Sequence, residues 1–113
     1  QALNINYSSF GMKSFNAEIN VSVTVYRVIQ ELINNTMKHA KATASIVQIE
    51  NDNNILHITV EDNGVGFDAK NISSFNGAGW MNIHNRINYL KGKIEVESSQ
   101  GNGTSITIEI QLA

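Results

Sequence analysis

Two adjacent amide side chains lie in a segment whose other residues favour a helix. Asn34 and Asn35 follow Glu31 by three and four residues, and Lys38 lies three residues beyond Asn35. On a helix, these spacings place Glu31, Asn35 and Lys38 on one stripe, with His39 beside it. An asparagine oxygen is a suitable Mg²⁺ ligand, and a lysine supplies a point charge for phosphate. The alternative is a solvated polar face, although each asparagine costs roughly half a kcal/mol relative to alanine in a helix interior.

Three glycine-containing motifs follow along the chain. They are Asp62-Asn63-Gly64-Val65-Gly66 after a predicted strand, Gly77-Ala78-Gly79-Trp80 before a predicted helix, and Gly101-Asn102-Gly103-Thr104 between two predicted strands. Glycines let the backbone approach a ligand closely, and amides at a helix N-terminus bind anions. A carboxylate at the end of a strand can accept a hydrogen bond from an exocyclic amine. Each motif taken alone is also explained as an ordinary turn.

Length and composition narrow the class of protein. The chain has 113 residues, 42% hydrophobic and 16% charged, which predicts one globular domain over 1–113. Its net charge of −2 argues against a nucleic-acid partner. The absence of cysteine excludes disulfides and thiolate metal sites. Because the first residue is Gln1, we expect a fragment of a larger protein.

Hydrophobic periodicity predicts five strands and two helices. Apolar residues alternate in the predicted strands and recur at helical spacing in the predicted helices. The predicted order is a strand at 1–7, a helix at 22–41, strands at 43–50 and 55–61, a helix at 80–90, and strands at 93–99 and 104–112. Residues 51–54 predict a hairpin turn, and residues 62–79 predict a long functional loop, or lid. This order predicts an α+β sandwich of helices on one sheet.

The order of the motifs resembles that of the GHKL ATPases, which include gyrase, a heat-shock chaperone, histidine kinases and mismatch-repair ATPases. The resemblance extends from about Val25 to Leu112 and is greatest to histidine kinases of the nitrate-sensor type. It rests on Gln30-Glu31-…-Asn35-…-Lys38-His39-Ala40, on Gly79-Trp80-…-Arg86-Ile87-…-Gly92, and on Ser98 to Thr104. The family fold is a two-layer sandwich with a mixed, mostly antiparallel sheet covered on one face by helices.

The resemblance implies a site for ATP and Mg²⁺, with the adenine base near the second and last motifs. Asp62 is expected to accept a hydrogen bond from the adenine amine, with Thr104 close to a bridging water. Gly64 and Gly66 are expected to let the chain pass the base and sugar.

At the phosphate end, the resemblance implies contributions from both predicted helices. The nucleotide-binding residues expected there are Asn35, Lys38, His39, Gly77, Gly79 and Trp80, the last in place of the usual Leu or Met. Glu31, Asn35 and Lys38 are the candidate catalytic residues, and Asn35 and Glu31 the candidate metal ligands. Glu31 is expected to act in the metal or water shell, since the general base in such kinases is thought to lie beside the target histidine.

The implied activity is that of an ATP-dependent protein histidine kinase in two-component signal transduction. The γ-phosphoryl acceptor is expected on a separate dimerisation domain of the same protein, because His39, His57 and His84 lack the sequence context of an acceptor. A response regulator is the expected downstream partner. The isolated domain is expected to be monomeric and cytoplasmic, and the full-length protein to be a homodimer anchored in the cell membrane.

Two other functions fit the same motifs. An anti-sigma-factor-type protein serine kinase uses the same fold, but the segment from Arg86 to Gly92 and the ending from Ser98 to Thr104 favour the histidine kinase. A non-catalytic nucleotide-binding signalling module is the second alternative, and the intact Asp62, Asn35 and glycine pairs argue against it.

Overall fold

The described part of the chain folds into one sheet and two helices. The computed structural model describes residues 4–11, 19–37, 41–66, 72–99 and 101–112. Its elements are β1 (Asn4–Phe10), α1 (Ile19–Asn35), β2 (Ala44–Asp52), β3 (Ile55–Asp62), α2 (Ile72–Tyr89), β4 (Lys93–Ser98) and β5 (Thr104–Gln111). The strand order is β1-β2-β3-β5-β4, with β1 parallel to β2 and the other three pairs antiparallel. The predicted α+β fold with a mixed, mostly antiparallel sheet is confirmed.

The core lies on one face of the sheet, beneath the two helices. In β3, Leu56, Ile58 and Val60 are buried, whereas the residues that alternate with them are not. The buried core residues of the other elements are Val25, Val28 and Leu32 of α1, Val47 and Ile49 of β2, Ile83 and Ile87 of α2, and Ile106, Ile108 and Ile110 of β5. Successive side chains of a strand point to opposite faces of the sheet, so every second residue lies on the core face and the others lie on the open face.

The first helix is shorter at its C-terminal end than the predicted 22–41. Regular α-helix ends at Asn35, and residues 36 and 37 continue in a wider π-type turn. The Thr36 hydroxyl donates to the Leu32 carbonyl over 3.1 Å, a local bond of the kind that bends helices. Lys41 has a left-handed φ of 51° and is therefore not helical.

The prediction of a loop continuing to Gly79 is wrong. Helix α2 begins at Ile72, eight residues before the predicted start; residues 67–71 lie outside the described part of the chain. Serine, asparagine and glycine favoured a loop, but Ile72 and Phe75 continue the helical spacing of Ile83 and Ile87. Extending an existing helix requires only propagation, so low propensity is tolerated there. Among the described elements, neither helix combines the length and the hydrophobicity that a membrane span requires.

The strand boundaries differ only slightly from prediction. The first strand runs from Asn4 to Phe10 instead of 1–7, and it pairs with β2 as far as Glu50. The predicted β2–β3 hairpin is confirmed, because Asn53 and Asn54 both take left-handed φ values, of 52° and 64°. Asparagine tolerates this conformation, which a two-residue type I′ turn requires at both positions.

Substitutions of two isoleucines on opposite faces of the sheet test whether the core is confined to one face. Ile58→Val removes a methylene from a fully buried side chain and should lower the free energy of unfolding by about 1 kcal/mol. Ile46→Val removes the same group from a side chain that is 41% exposed and should change it by less than about 0.5 kcal/mol. Urea denaturation of both variants measures the difference, and equal losses would contradict a core confined to one face.

Candidate functional site

Four polar residues, Ser45, Asp62, Thr104 and Ser98, form a row across the helix-covered face at one end of the sheet; we refer to it as the polar row. In the register, Asp62 of β3 pairs with Ser45 of β2 and with Thr104 of β5, and Thr104 pairs with Ser98 of β4. The neighbouring row on the same face is apolar and consists of Val47, Val60, Ile106 and Val96. Since side-chain alternation directs both rows to the core side, the polar row occupies positions where apolar residues are expected. Such departures from pattern are typical of functional sites.

Two buried hydroxyl residues flank Asp62 in the sheet, and a third lies near its carboxylate; the Ser45 hydroxyl itself donates to the Glu61 carbonyl over 2.8 Å. Among the described residues, the buried polar side chains are those of Thr36, Ser45 and Thr104, each 9% exposed or less. Ser45 and Thr104 are register partners of Asp62, and the Thr36 hydroxyl lies 3.5 Å from Asp62 Oδ2. The Gly64 amide donates to Asp62 Oδ1 over 2.9 Å. A carboxylate offers about four acceptor positions, so Asp62 retains capacity for a ligand.

A hydrogen-bond chain links Gly103, Ser98 and Thr104 across β5 and β4. Ser98 Oγ donates to the Gly103 carbonyl over 2.9 Å. Ser98 Oγ and Thr104 Oγ1 are also 2.9 Å apart, and either hydroxyl can be the donor between them. When Ser98 donates to Gly103, Thr104 donates to Ser98 and presents oxygen lone pairs to any further partner. Asp62 and Thr104 together offer acceptors, which match a ligand with N–H groups.

Two glycine-containing loops lock together beside this row. The Gly101 amide donates to the Val65 carbonyl over 2.6 Å. Gly66 has a φ of 67°, and a Cβ on it would lie 2.1 Å from the Ser99 carbonyl oxygen. Gly103 has a φ of 73°, and its Cβ would lie 2.2 Å from the Asp62 carbonyl oxygen. Both glycines are therefore required for backbone packing; the roles of Gly64 and Gly66 beside a base and sugar stay predictions.

Asn63 fixes the loop after β3, a role that sequence reasoning missed. Its Oδ1 accepts from the amides of Thr43 and Ala44, both over 3.0 Å, and its Nδ2 donates to the Thr43 hydroxyl over 3.0 Å. These bonds connect the start of β2 to the residue after Asp62. The sequence indicated no role for Thr36, and it marked Ser98 only as the start of the last motif, because only the end of α1 and the register bring these residues to Asp62 and Thr104.

A cavity of about 570 Å³ opens at this end of the sheet. Its lining includes Asp62, Ser98 and Thr104 of the polar row and residues 102 and 103 of the β4–β5 loop. Glu61, Glu97 and Ser105, which alternate with the polar row, line it as well, so the cavity extends around the end of the sheet. The volume falls within the range of small-molecule sites. The structure therefore brings the predicted Asp62 and Thr104 together in one cavity.

Asn35 and Glu31 are the predicted phosphate-end residues that lie in α1. Asn35 is the last residue of regular helix, and its Nδ2 is buried without a hydrogen-bond partner among the described residues. A buried amide group without a partner is costly, so a ligand accepting from it would be stabilised. Glu31 lines a second cavity, of about 460 Å³, between α1 and α2, together with Arg27 and Arg86.

The other predicted residues fall into two groups. Lys38, His39 and the side chain of Trp80 lie outside the described residues. Gly77 and Gly79 were expected at the mouth of a helix with free amides, and this placement is wrong, because both lie inside α2, beyond its first turn. Amides at such positions are used by the helix itself.

Comparison with known proteins identifies the family. The sheet order and the polar row define an α+β domain with a site at one end of its sheet. Residues 20–113 match the family model described as histidine kinase-, DNA gyrase B-, and HSP90-like ATPase. The chain therefore belongs to this family of ATPase domains.

Similar curated proteins are sensor histidine kinases. The chain is 34% identical over 96 residues to the sensor histidine kinase ComP of Bacillus subtilis, covering 84% of this chain and 12% of that protein. It is 31% identical over 112 residues to the oxygen sensor histidine kinase NreB of Staphylococcus carnosus, covering 97% of this chain and 31% of that protein. The chain thus spans less than a third of the length of these relatives.

A solved structure shares the fold. The histidine kinase domain of the blue-light activated histidine kinase of Erythrobacter litoralis superposes with a TM-score of 0.79 at 20% identity. The match covers 98% of this chain and 52% of that domain's chain.

Replacing Gly66 by alanine tests whether the loops are locked by backbone contact. Gly66→Ala adds a Cβ against backbone oxygens and should cost several kcal/mol, because neither loop can retreat without breaking its own bonds. Gly101→Ala is the matched control: its φ is also positive, at 85°, but its Cβ would meet nothing within 4 Å. It should cost only the backbone strain of about 1–2 kcal/mol. Thermal unfolding compares the two, and similar losses would contradict the interlocking.

Proposed function

We propose that this chain is the ATP-binding catalytic domain of a sensor histidine kinase. It binds Mg²⁺-ATP and donates the γ-phosphoryl group to a histidine on a separate dimerisation domain of the same protein, with a response regulator downstream. The observation that carries the proposal is the row of Ser45, Asp62, Thr104 and Ser98 on the core face, in which Asp62 is paired with the buried residues Ser45 and Thr104. Family membership supports the nucleotide, and the sensor histidine kinases among the relatives support the acceptor.

The row selects adenine through hydrogen-bond polarity. Asp62 is acceptor-only when ionised, and Thr104 is also an acceptor towards a ligand when its hydrogen is donated to Ser98. An exocyclic amine at position 6 of a purine, directly or through a water, supplies the donors that this pair lacks. An oxo group at the same position is itself an acceptor, so it could not bond to Asp62 or Thr104 and would leave buried polar atoms without partners. The free-energy cost of such unpaired atoms exceeds the loss of one hydrogen bond.

The end of α1 supplies the phosphate end of the proposed site. Asn35 contributes one amide oxygen as a metal ligand, which suits Mg²⁺ because that ion keeps several waters and takes substrate phosphates as ligands. Among the described residues there is no group of three or more His, Cys, Asp or Glu that could hold a metal alone. Lys38 and His39 lie near the phosphates in this proposal. When bound, Mg²⁺ neutralises charge on the phosphates during transfer.

Replacing Asp62 by asparagine tests the adenine contact. The asparagine side chain keeps the shape but exchanges one acceptor oxygen for a donor, so Asp62→Asn should weaken ATP binding about tenfold or more. ITP differs from ATP mainly in its 6-oxo group and should bind the unchanged chain at least about tenfold more weakly. Isothermal titration calorimetry with both nucleotides measures this. Equal affinities for ATP and ITP would remove Asp62 from the proposed adenine role.

Phosphoryl transfer in trans tests the activity. The chain alone should neither label itself stably nor hydrolyse ATP quickly. Phosphoryl transfer depends mainly on positioning the acceptor beside the γ-phosphate, and the proposed acceptor histidine lies on another domain. With the histidine-bearing dimerisation domain of the parent protein added, that domain should acquire acid-labile radiolabel from γ-labelled ATP. Asn35→Ala should abolish transfer while sparing metal-free nucleotide binding. Acid-stable label on a serine would favour the serine-kinase alternative, and binding without any transfer would favour a non-catalytic module.

A further inference from the structure

Thr36 stands between the helix and the carboxylate at the centre of the site. It is 6% exposed and occupies the widened turn directly after Asn35. Its Oγ1 lies 3.1 Å from the Leu32 carbonyl oxygen and 3.5 Å from Asp62 Oδ2. Both neighbours are acceptors, and the hydroxyl has one hydrogen. The hydrogen is therefore either shared between them or exchanged from one to the other by rotation of the hydroxyl.

The bond from Thr36 to Asp62 restricts the orientation of a carboxylate in the candidate site, whereas the bond to Leu32 only closes a helical turn. An O–H donor to a carboxylate makes a charge-assisted bond, which is roughly twice as strong as a neutral one. The other carboxylate oxygen, Oδ1, is already held by the Gly64 amide. When Thr36 donates to Oδ2, two donors, one from the end of α1 and one from the loop after β3, restrict the rotation of the carboxylate plane. With the Gly64 bond alone, the carboxylate keeps its position but loses its second orienting contact.

We propose that Thr36 is a positioning residue that orients Asp62 for recognition of the 6-amino group of a purine nucleotide. The inference rests on the proposed function, because it requires Asp62 to accept from that amine. Thr36 also directly follows Asn35, the proposed metal ligand, so one turn of backbone joins the base end of the site to its phosphate end. Thr36 therefore sets discrimination between 6-amino and 6-oxo purine nucleotides, and its effect on nucleotides that lack the amine is small.

The test measures the ATP/ITP affinity ratio by calorimetry on the whole chain. Thr36→Val keeps the side-chain shape and removes the hydroxyl, so ATP affinity should fall about fivefold to tenfold while ITP affinity changes less than about twofold. Thr36→Ser keeps the hydroxyl and should preserve the ratio. Thr59→Val removes a threonine hydroxyl from the open face of β3 and should also leave the ratio unchanged. Thermal unfolding of each variant reports folding, and Thr36→Ala replaces Thr36→Val if the latter does not fold.

A second arm separates this inference from the proposed function. Asp62→Asn should reduce the ratio, and Thr36→Val added to Asp62→Asn should reduce it no further, because Thr36 acts through Asp62. If Asp62→Asn leaves the ratio unchanged, the adenine role of Asp62 is wrong and the inference falls with it. If Asp62→Asn reduces the ratio but Thr36→Val does not, or weakens ATP and ITP equally, Thr36 is merely structural and the inference alone is overturned.

Discussion

The alternation of side chains on a sheet with one covered face is the constraint on which the rest of the structure depends. Every second residue of β2, β3 and β5 is directed towards α1 and α2, and the register lines these residues up into rows. Moving any of these strands by one residue would exchange its buried and exposed sets. The apolar residues on this face therefore fix the register, and the register in turn places Asp62 beside Ser45 and Thr104 at the end of the same face. The place of Asp62 and Thr104 along the sheet thus follows from core packing, and the loop contacts add to it.

The loops at the end of the sheet show that stability and the candidate site depend on the same residues. Gly66 and Gly103 allow backbone to pack on backbone, and Asn63 ties the loop after β3 to the start of β2. These contacts hold Asp62 and Thr104 before any ligand binds, which reduces the entropy lost on binding. Motifs that resemble a ligand-binding signature in the sequence are thus at least partly requirements of the fold. A variant in them must be tested for folding before its effect on binding is interpreted.

Much of the fold could be predicted from the sequence, because its signals are local. The alternating strands, the Asn53-Asn54 turn and the apolar stripe of α1 each follow from neighbouring residues. Asp62 and Thr104 were predicted as partners only through a resemblance. The hydroxyls of Thr36 and Ser98 were not predicted, because their relation to the site depends on the register and on where α1 ends. The start of α2 was predicted wrongly, since local propensity was given more weight than the continuing apolar spacing.

That wrong prediction has a physical explanation. Residues 72–79 contain two serines, one asparagine and two glycines, and they are helical in the structure. These five residues make the segment on the order of 3–4 kcal/mol less stable as a helix than alanine would. Because the segment extends an existing helix, it requires propagation and no new nucleus, so weak helix formers do not prevent it from being helical. Propensity added up residue by residue does not contain this effect, since the cost of nucleation depends on whether a stable turn already exists beside the segment.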